Sequence, residues 1–497
     1  MPIRLLCAAL VALPWLWPLT AGPSAGMVPY LVSAVTGALL ITVWPAHDRE
    51  GRALENGATI AASGWLAAAL ISSVIALLQY FDLETLFYPL VNQAQPGQAF
   101  GNLRQPNQLA SLLAIGLLAL RWLFQRQHLN KFHASWMSAL LLVALAATAS
   151  RVGLVELILL GALVLWWSRS QPGGRTRLML AGAALGIYLA AALAWPALIQ
   201  SSEGVAGRDM VERLRTAEST CGSRLILWHN VLHLISLKPW LGWGWGELDY
   251  AHYITLYDGP RFCHILDNAH NLPLHLAVEL GVPLALLACA LTAWLLWRGR
   301  LWQEQDASRQ LAWGVLGVIG IHSMVEYPLW YGPFQIAAIL CVWLLWRPRH
   351  AAAELTARPW WRNAIAAAML VAVAYTAWDY HRISQLFMAR EDRSPAYRDN
   401  TLAKAQQSWL FSDVVAFAET TTRPATRETA ARLLPTALAA LHFSPESSTI
   451  IKVIECASLL GQDELALAHM ARFKAAFPDE YKEWTQDNAR VLQGLRQ

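Results

Sequence analysis

Apolar runs close to 20 residues long recur through most of this chain, and they constrain its fold more than any other feature. Twenty helical residues span roughly 30 Å, the thickness of a bilayer's hydrocarbon layer. Inside lipid every backbone polar group must be satisfied within the segment, which selects helices. In order, the candidate spans are 3–21, 27–45, 58–78, 108–124, 135–149, 153–168, 178–198, 272–297, 311–328, 334–346 and 363–379. Composition agrees, with 56% hydrophobic and 14% charged residues, against roughly 45–50% and 25% in soluble domains. The expected fold is all-α, a polytopic membrane helix bundle of about 11–12 transmembrane helices. Arg4 ahead of an apolar core, with small residues after it, would suit a signal peptide, but a second run follows almost at once, so an uncleaved helix is expected. Trp44, Trp122, Trp166, Trp167, Trp297 and Trp346 stand at run ends, where indole rings anchor at the membrane interface.

Lysine and arginine mark the cytoplasmic side of short loops. The connections after even-numbered spans carry Arg49 and Arg52; Arg126 and Lys131; Arg169, Arg175 and Arg177; Arg298, Arg300 and Arg309; and Arg347, Arg349, Arg358 and Arg362. The short connections after odd-numbered spans hold only Arg104 and Arg151. The long loop 199–271 and the tail 380–497 therefore fall on the outer side, the periplasm in a bacterium, and residues 1–379 form the membrane domain. Cys221 and Cys263 both lie in that loop, an oxidising location. They either pair as a disulfide or stay as two buried thiols. The tail segments "TALAALHFSP" and "DELALAHMARFKAAFPDEYKEW" have helical spacing and a proline stop. They look like tetratricopeptide-type hairpins without a clean 34-residue period, in a tail that binds or braces rather than catalyses.

An ionisable group at the bilayer centre costs at least about 2.5–3.5 kcal/mol. Arg151, Glu156, His275, Glu279, His322 and Glu326 therefore each need a reason, and the topology puts all six in the outer half. With span eight continuous, Glu279 would sit about 10 Å below the surface. A one-sided cluster suits a site open to the periplasm; a transporter would carry polar groups through both halves. The loop 199–271 holds six basic and eight acidic residues, so an anion there would be bound by individual arginines, whose planar guanidinium grips phosphate bidentately. A net charge of +4 over 497 residues gives no nucleic-acid footprint. "GWGWGE" (242–247) has no strand–loop–helix setting for a nucleotide. It is expected to be a tight turn whose tryptophans meet the interface or a sugar. His264, Asp267, His270 and His275 match no standard metal spacing, so no metal is expected.

Five stretches then occur in order: "AFGNLRQPNQLASLL" (99–113), "SRVG" (150–153), "SRLILWHNVLHLISLKPWLGWGWGEL" (223–248), "DNAHNLPLHLAVELGVP" (267–283) and "HSMVEYPLWYGPF" (322–334). Together they resemble the bacterial protein O-oligosaccharyltransferases, the pilin-type O-glycosylation ligases, within the O-antigen ligase and polymerase superfamily. The resemblance implies a multi-pass inner-membrane glycosyltransferase with a periplasmic active site and tail. It implies transfer of an oligosaccharide from undecaprenyl pyrophosphate to a Ser or Thr hydroxyl of an exported protein such as a pilin, in the presence of membrane lipid and without metal, nucleotide or other cofactor. Ligation to lipid A–core and polysaccharide polymerisation are the alternatives within the superfamily.

The chemistry needs a base near ambient pH for the hydroxyl and fixed cations for the departing pyrophosphate. His270 matches the family's catalytic histidine in the H-N motif; the alternative is a histidine that only caps a helix. Asn271 is expected to set the local geometry. Arg151, in the S-R-x-G motif, and Arg224, in the S-R-L stretch, are the expected pyrophosphate cations, and Arg104 is a further candidate. Gln105, Asn107 and Gln108 are expected to bond sugar or phosphate. Glu326 and Tyr327 match the "EYPL" stretch, with Glu326 orienting an arginine. His275 and Glu279, four residues apart on a helix, are expected to pair with each other.

Overall fold

A computed structural model describes residues 2–44, 53–169, 172–203, 221–346 and 360–494. Arg49, Arg52, Arg208, Arg213, Arg215, Arg347, Arg349 and Arg358 lie outside the described residues. Among the described residues every regular element is helical. In chain order the first seven helices are α1 (Pro2–Leu16), α2 (Met27–Val43), α3 (Ala53–Tyr80), α4 (Pro106–Gln125), α5 (Lys131–Ala147), α6 (Arg151–Trp167) and α7 (Gly174–Glu203). Next come α8 (Arg224–Leu237), α9 (Leu248–Ile254), α10 (Leu272–Leu280), α11 (Val282–Gly299), α12 (Ala307–His322), α13 (Gly332–Trp346) and α14 (Trp360–Ser384). The tail adds α15 (Thr401–Ala405), α16 (Ser412–Thr422), α17 (Ala430–Phe443), α18 (Ser447–Leu459), α19 (Asp463–Ala476) and α20 (Pro478–Gly494). The chain divides into two compact units, Met1–Thr216 with Trp294–Ala374, and Ala217–Ala293 with Tyr375–Gln497.

The first unit is an apolar bundle centred on α4. Leu109, Leu112, Leu113 and Ile115 of α4 are fully buried and packed by α3, α5, α6 and α12. Small residues let the backbones close: a Cβ on Gly116 would meet the Ala69 Cβ of α3 at 2.4 Å, as at membrane helix contacts where packing rather than water drives association. Among the described residues four helices are long and apolar enough to cross a membrane: Ala53–Tyr80, Pro106–Gln125, Gly174–Ile199 and Val282–Gln303. In the first two, 67% and 78% of the apolar window is buried; in the last two, 11% and 6%. The latter pair turn apolar side chains outward, as lipid-facing helices do.

Two runs depart most from their sequence bounds. The run 272–297 is not one helix. α10 ends at Leu280, Gly281 takes φ 89° and ψ 156°, and α11 restarts at Val282. Residues 311–328 likewise end early: α12 stops at His322, a 3-10 turn covers Pro328–Trp330, and Glu326 stands in the connection.

The second unit joins the insert to the tail through one core. Tyr253 of α9 is buried among Leu433, Leu434, Ile450, Val453 and Phe473 of the tail. Its hydroxyl lies 2.7 Å from His469 Nδ1, Arg472 Nε donates to Ile254 O at 3.2 Å, and His442 Nδ1 lies 2.7 Å from Glu247 Oε2. The tail helices α16 to α19 pack each on the next in sequence, the hairpin arrangement that the proline stops foreshadow.

Candidate active site

In the first unit the polar side chains gather where α4 begins. Pro106, pre-set for a helical start, opens α4 after a left-handed Arg104 (φ 64°) and an extended Gln105. The approach is held by buried Gln79: its Nε2 donates to Asn92 O (2.8 Å) and Gly101 O (2.9 Å), and its Oε1 accepts from Phe100 N (3.1 Å) and Gly101 N (2.7 Å). Asn107, in the first turn, accepts from Ser150 Oγ at 2.7 Å and donates to Glu326 Oε1 at 3.5 Å. Ser150 also caps α6 by accepting from Gly153 N at 3.1 Å, which makes Arg151 that helix's first residue. Gln108 is buried beside Asn107 on α4. Tyr327 follows Glu326 and stacks on Tyr331, with ring centroids 5.8 Å apart.

One turn deeper, Ser111 Oγ donates to Glu156 Oε1 at 2.5 Å and lies 2.8 Å from His322 Nδ1. A hydroxyl has one proton, so with Ser111 donating to Glu156 the Nδ1–H of His322 is the second donor. Arg104 bonds elsewhere. Its Nη2 donates to Pro18 O (2.9 Å) and Thr20 Oγ1 (3.1 Å), and its Nη1 to Ala25 O (3.3 Å), fastening the α1–α2 connection.

In the second unit, Cys221 and Cys263 form a disulfide with Cα atoms 5.3 Å apart. Just beyond it Ser223 caps α8, accepting from Ile226 N at 3.3 Å, and Arg224 is the first helical residue. Trp228, one turn on, donates its indole N–H to Ala269 O at 3.1 Å. The next residue, His270, is half-buried in a left-handed conformation (φ 50°), with its N–H on Asn268 Oδ1 at 2.9 Å. Asn271 caps α10 by accepting from Leu274 N at 3.1 Å. Histidine at positive φ is uncommon, and here both neighbouring backbone turns are pinned.

The far end of α10 is clasped by "GWGWGE". Trp243 N donates to Val278 O (2.9 Å), Gly244 N to Glu279 O (3.0 Å) and Val282 N to Pro239 O (2.8 Å). The first two bonds satisfy carbonyls that the end of α10 leaves open. Backbones touch at both glycines: a Cβ on Gly242 would lie 2.4 Å from Glu279 O, and one on Gly281 2.2 Å from Trp240 O. Trp243 is turned inward, its indole donating to Leu234 O at 2.9 Å, whereas Trp240 and Trp245 are exposed. His275 Nε2 and Glu279 Oε2 are 3.5 Å apart, as their spacing predicts. However, α10 packs its buried face on α8, so burial of this pair comes from protein and not from depth along a continuous span. Among the described residues no three His, Cys, Asp or Glu side chains converge as metal ligands.

Comparison with known proteins matches residues 99–124 to the protein glycosylation ligase family, 136–289 to the O-antigen ligase family, and 310–492 to the C-terminal region of virulence factor membrane-bound polymerases. The chain is thus similar, stretch by stretch, to O-antigen ligases and protein glycosylation ligases. Among relatives, a "General O-oligosaccharyltransferase" of Acinetobacter baylyi is 25% identical over 349 residues, 67% of this chain and 60% of that protein. A "ComP-specific O-oligosaccharyltransferase" of the same organism is 25% identical over 273 residues, 54% of this chain and 48% of that protein. A "Putative polysaccharide ligase" of Rickettsia felis is 30% identical over 79 residues, 15% of this chain and 19% of that protein. The chain thus spans about half to three fifths of the two Acinetobacter relatives.

The matched stretches map onto the geometry in pieces. The stretch 99–124 carries Arg104, Gln105, Asn107, Gln108 and Ser111; 136–289 carries Arg151, Glu156, Arg224, His270 and Asn271; 310–492 carries His322, Glu326 and Tyr327. In the first unit the fold brings Asn107, Ser150 and Glu326 together beside Arg151. Ser111 was not legible as a site residue, because a serine in an apolar helix reads as small packing. Its one signal is position, four residues after Asn107 and hence on the same face.

Proposed function

We propose that this chain transfers an oligosaccharide en bloc from undecaprenyl pyrophosphate to Ser or Thr hydroxyls of an exported, pilin-like protein at the periplasmic face of the inner membrane. The observation that carries the reading is the protein glycosylation ligase match over 99–124, the stretch whose Asn107 bonds both Ser150 and Glu326 next to Arg151. The two O-oligosaccharyltransferase relatives support it. In this reading the acceptor oxygen attacks C1 of the first sugar as the C1–O bond to pyrophosphate breaks. The hydroxyl proton passes to His270, and undecaprenyl pyrophosphate leaves with the bonding electron pair. The guanidinium groups of Arg151 and Arg224 meet the charge that grows on the leaving phosphate. Asn271 keeps the cap that orients His270. Asn107, Gln105 and Gln108 offer amides to sugar or phosphate oxygens; Glu326 and Tyr327 steady that cluster, and Arg104 supports it through the α1–α2 connection. Positioned general-base catalysis contributes typically about 10²–10⁴-fold. The domain roles follow: residues 1–379 hold the donor, 199–271 supply His270, and 380–497 brace that insert.

A second reading, ligation to lipid A–core or glycan polymerisation, is favoured by the O-antigen ligase and polymerase matches. One experiment separates them. The chain is expressed with a lipid-linked glycan pathway and an exported pilin-like acceptor, and the acceptor is analysed by mass spectrometry. Glycan on Ser or Thr, absent in His270→Ala at equal membrane expression, is the expected result. An unmodified acceptor with lipopolysaccharide ligation restored overturns the protein-transfer reading.

A further inference from the structure

The connection between α3 and α4 is built inside out. Leu83, Leu86, Phe87, Tyr88 and Leu90 fall within eight residues and are 48–78% exposed. The polar side chains that hold this segment point the other way. Glu84 is buried and accepts from Ala94 N at 3.1 Å. Asn102 is buried and donates to Leu90 O at 3.0 Å and Leu16 O at 2.8 Å, while its Oδ1 accepts from Asn92 N at 3.1 Å. Gln79 is buried too and clamps Asn92, Phe100 and Gly101 through four hydrogen bonds. The segment is therefore tied at both ends and cannot fold its apolar side chains under itself.

In water such a loop would present its polar residues and bury the apolar ones; contiguous exposed apolar surface marks contact with something apolar. What covers it follows from continuity. Ala67, Ile71 and Val74 are the exposed positions of α3's second half, at i, i+4 and i+7, so they form one face of a candidate membrane span. The apolar segment begins nine residues after Val74, and its edges are polar: Asp82 before it and Gln93 after it are exposed. A short apolar segment with an aromatic ring, bracketed by polar residues and adjoining a lipid-facing helix face, has the chemistry of an element lying in the membrane interface.

We propose that residues 83–90 form a rigid flap inserted into the acyl boundary of the bilayer, with bilayer lipid as its partner. The flap lies outside the family-matched stretches. Its anchor runs through Gly101 and Asn102 into the start of α4, so lipid contact at the flap bears directly on the turn that carries Gln105 and Asn107.

The test uses the full chain in liposomes, with Cys289→Ser removing the exposed thiol and a nitroxide placed at Leu86→Cys, Leu90→Cys, Ile71→Cys or Gln93→Cys. Collision with oxygen, which concentrates in lipid, is compared with collision with a water-soluble nickel chelate. The expected oxygen-to-nickel ratio at 86 and 90 is several-fold above that at 93 and close to that at 71. Equal nickel access at 86 and 93 overturns the proposal. Exclusion of both reagents from 86 and 90 also overturns it, because protein would then cover the flap. No arm depends on catalysis, so failure here is distinguishable from failure of the transfer reading. If one cysteine variant does not insert, the other at 86 or 90 gives the same readout.

Discussion

Gly153 sits where α6 packs tightly on α4: a Cβ there would lie 2.8 Å from Ala110 Cβ and 2.9 Å from Leu145 Cδ1. It is flanked by two polar ties, Ser150 to Asn107 and Glu156 to Ser111. Together the three contacts set the azimuth of α6 and with it the direction in which Arg151 leaves the helix. Gly153→Ala is expected to cost about 1–3 kcal/mol through overpacking, read as a lower melting temperature in detergent, and to reduce transfer. Ser111→Ala leaves Glu156 and His322 buried without their shared hydroxyl, at a cost of about 1–3 kcal/mol for each group left unsatisfied. Ser111→Thr, which keeps the hydroxyl, is expected to lose less in the same melting assay. Arg151→Lys keeps the charge and loses the planar fork, so transfer should fall while the melting temperature holds. Of these positions Arg151, Asn107 and Glu326 were legible as motif residues, and His322 and Glu156 as charges needing a reason. Their pairing through Ser111 was not, because it joins three helices far apart in the chain.

At the scale of elements, the break at Gly281 is the main departure from what the sequence shows. The run 272–297 has no strong polar interruption beyond Glu279, so hydropathy reads straight through it. The stop is tertiary: Trp240 O occupies the space a side chain would need, and Pro283 cannot donate back into α10. Gly281→Ala combines that clash with a positive φ and is expected to destabilise the second unit by more than about 2 kcal/mol, measured by chemical denaturation. The disulfide closes a loop with a sequence separation of 42, so reduction should remove roughly 2–4 kcal/mol, visible as an earlier denaturation midpoint under dithiothreitol. Protonation acts on the same unit. Burial, with Arg472 nearby, lowers the His469 pKa to about 4 from 6.5. Between those values the unfolded chain takes up a proton that the folded one refuses, so this contribution to stability is full above pH 6.5 and lost toward pH 4. Burial and Arg261 lower His252 to about 3, with the same sign. Burial raises the Asp249 carboxyl to about 7 and works the other way, favouring the fold at low pH. The clean measurement is therefore a difference: the stability margin of the wild type over His469→Gln should narrow as pH falls from 6.5 to 4.

Across the whole molecule, the all-helical, apolar architecture was legible because an apolar helix advertises itself locally. The pairing of the insert with the tail was not, because Tyr253 and His469 meet from 216 residues apart. Removing residues 390–497 should uncover Tyr253 and make the insert cleavable at Arg261, a change that limited trypsin digestion would reveal; an insert that stays resistant would mean α9 needs no tail. The shared core also sets an order of events during synthesis. At about 5–20 residues per second, the ribosome makes Tyr253 roughly ten to forty seconds before it makes Phe473. For that interval α9 has been translated and the set of helices that covers it is incomplete. A nascent chain stalled between those points would hold a half-built core, and any holding factor that acts on this protein has its longest opportunity there.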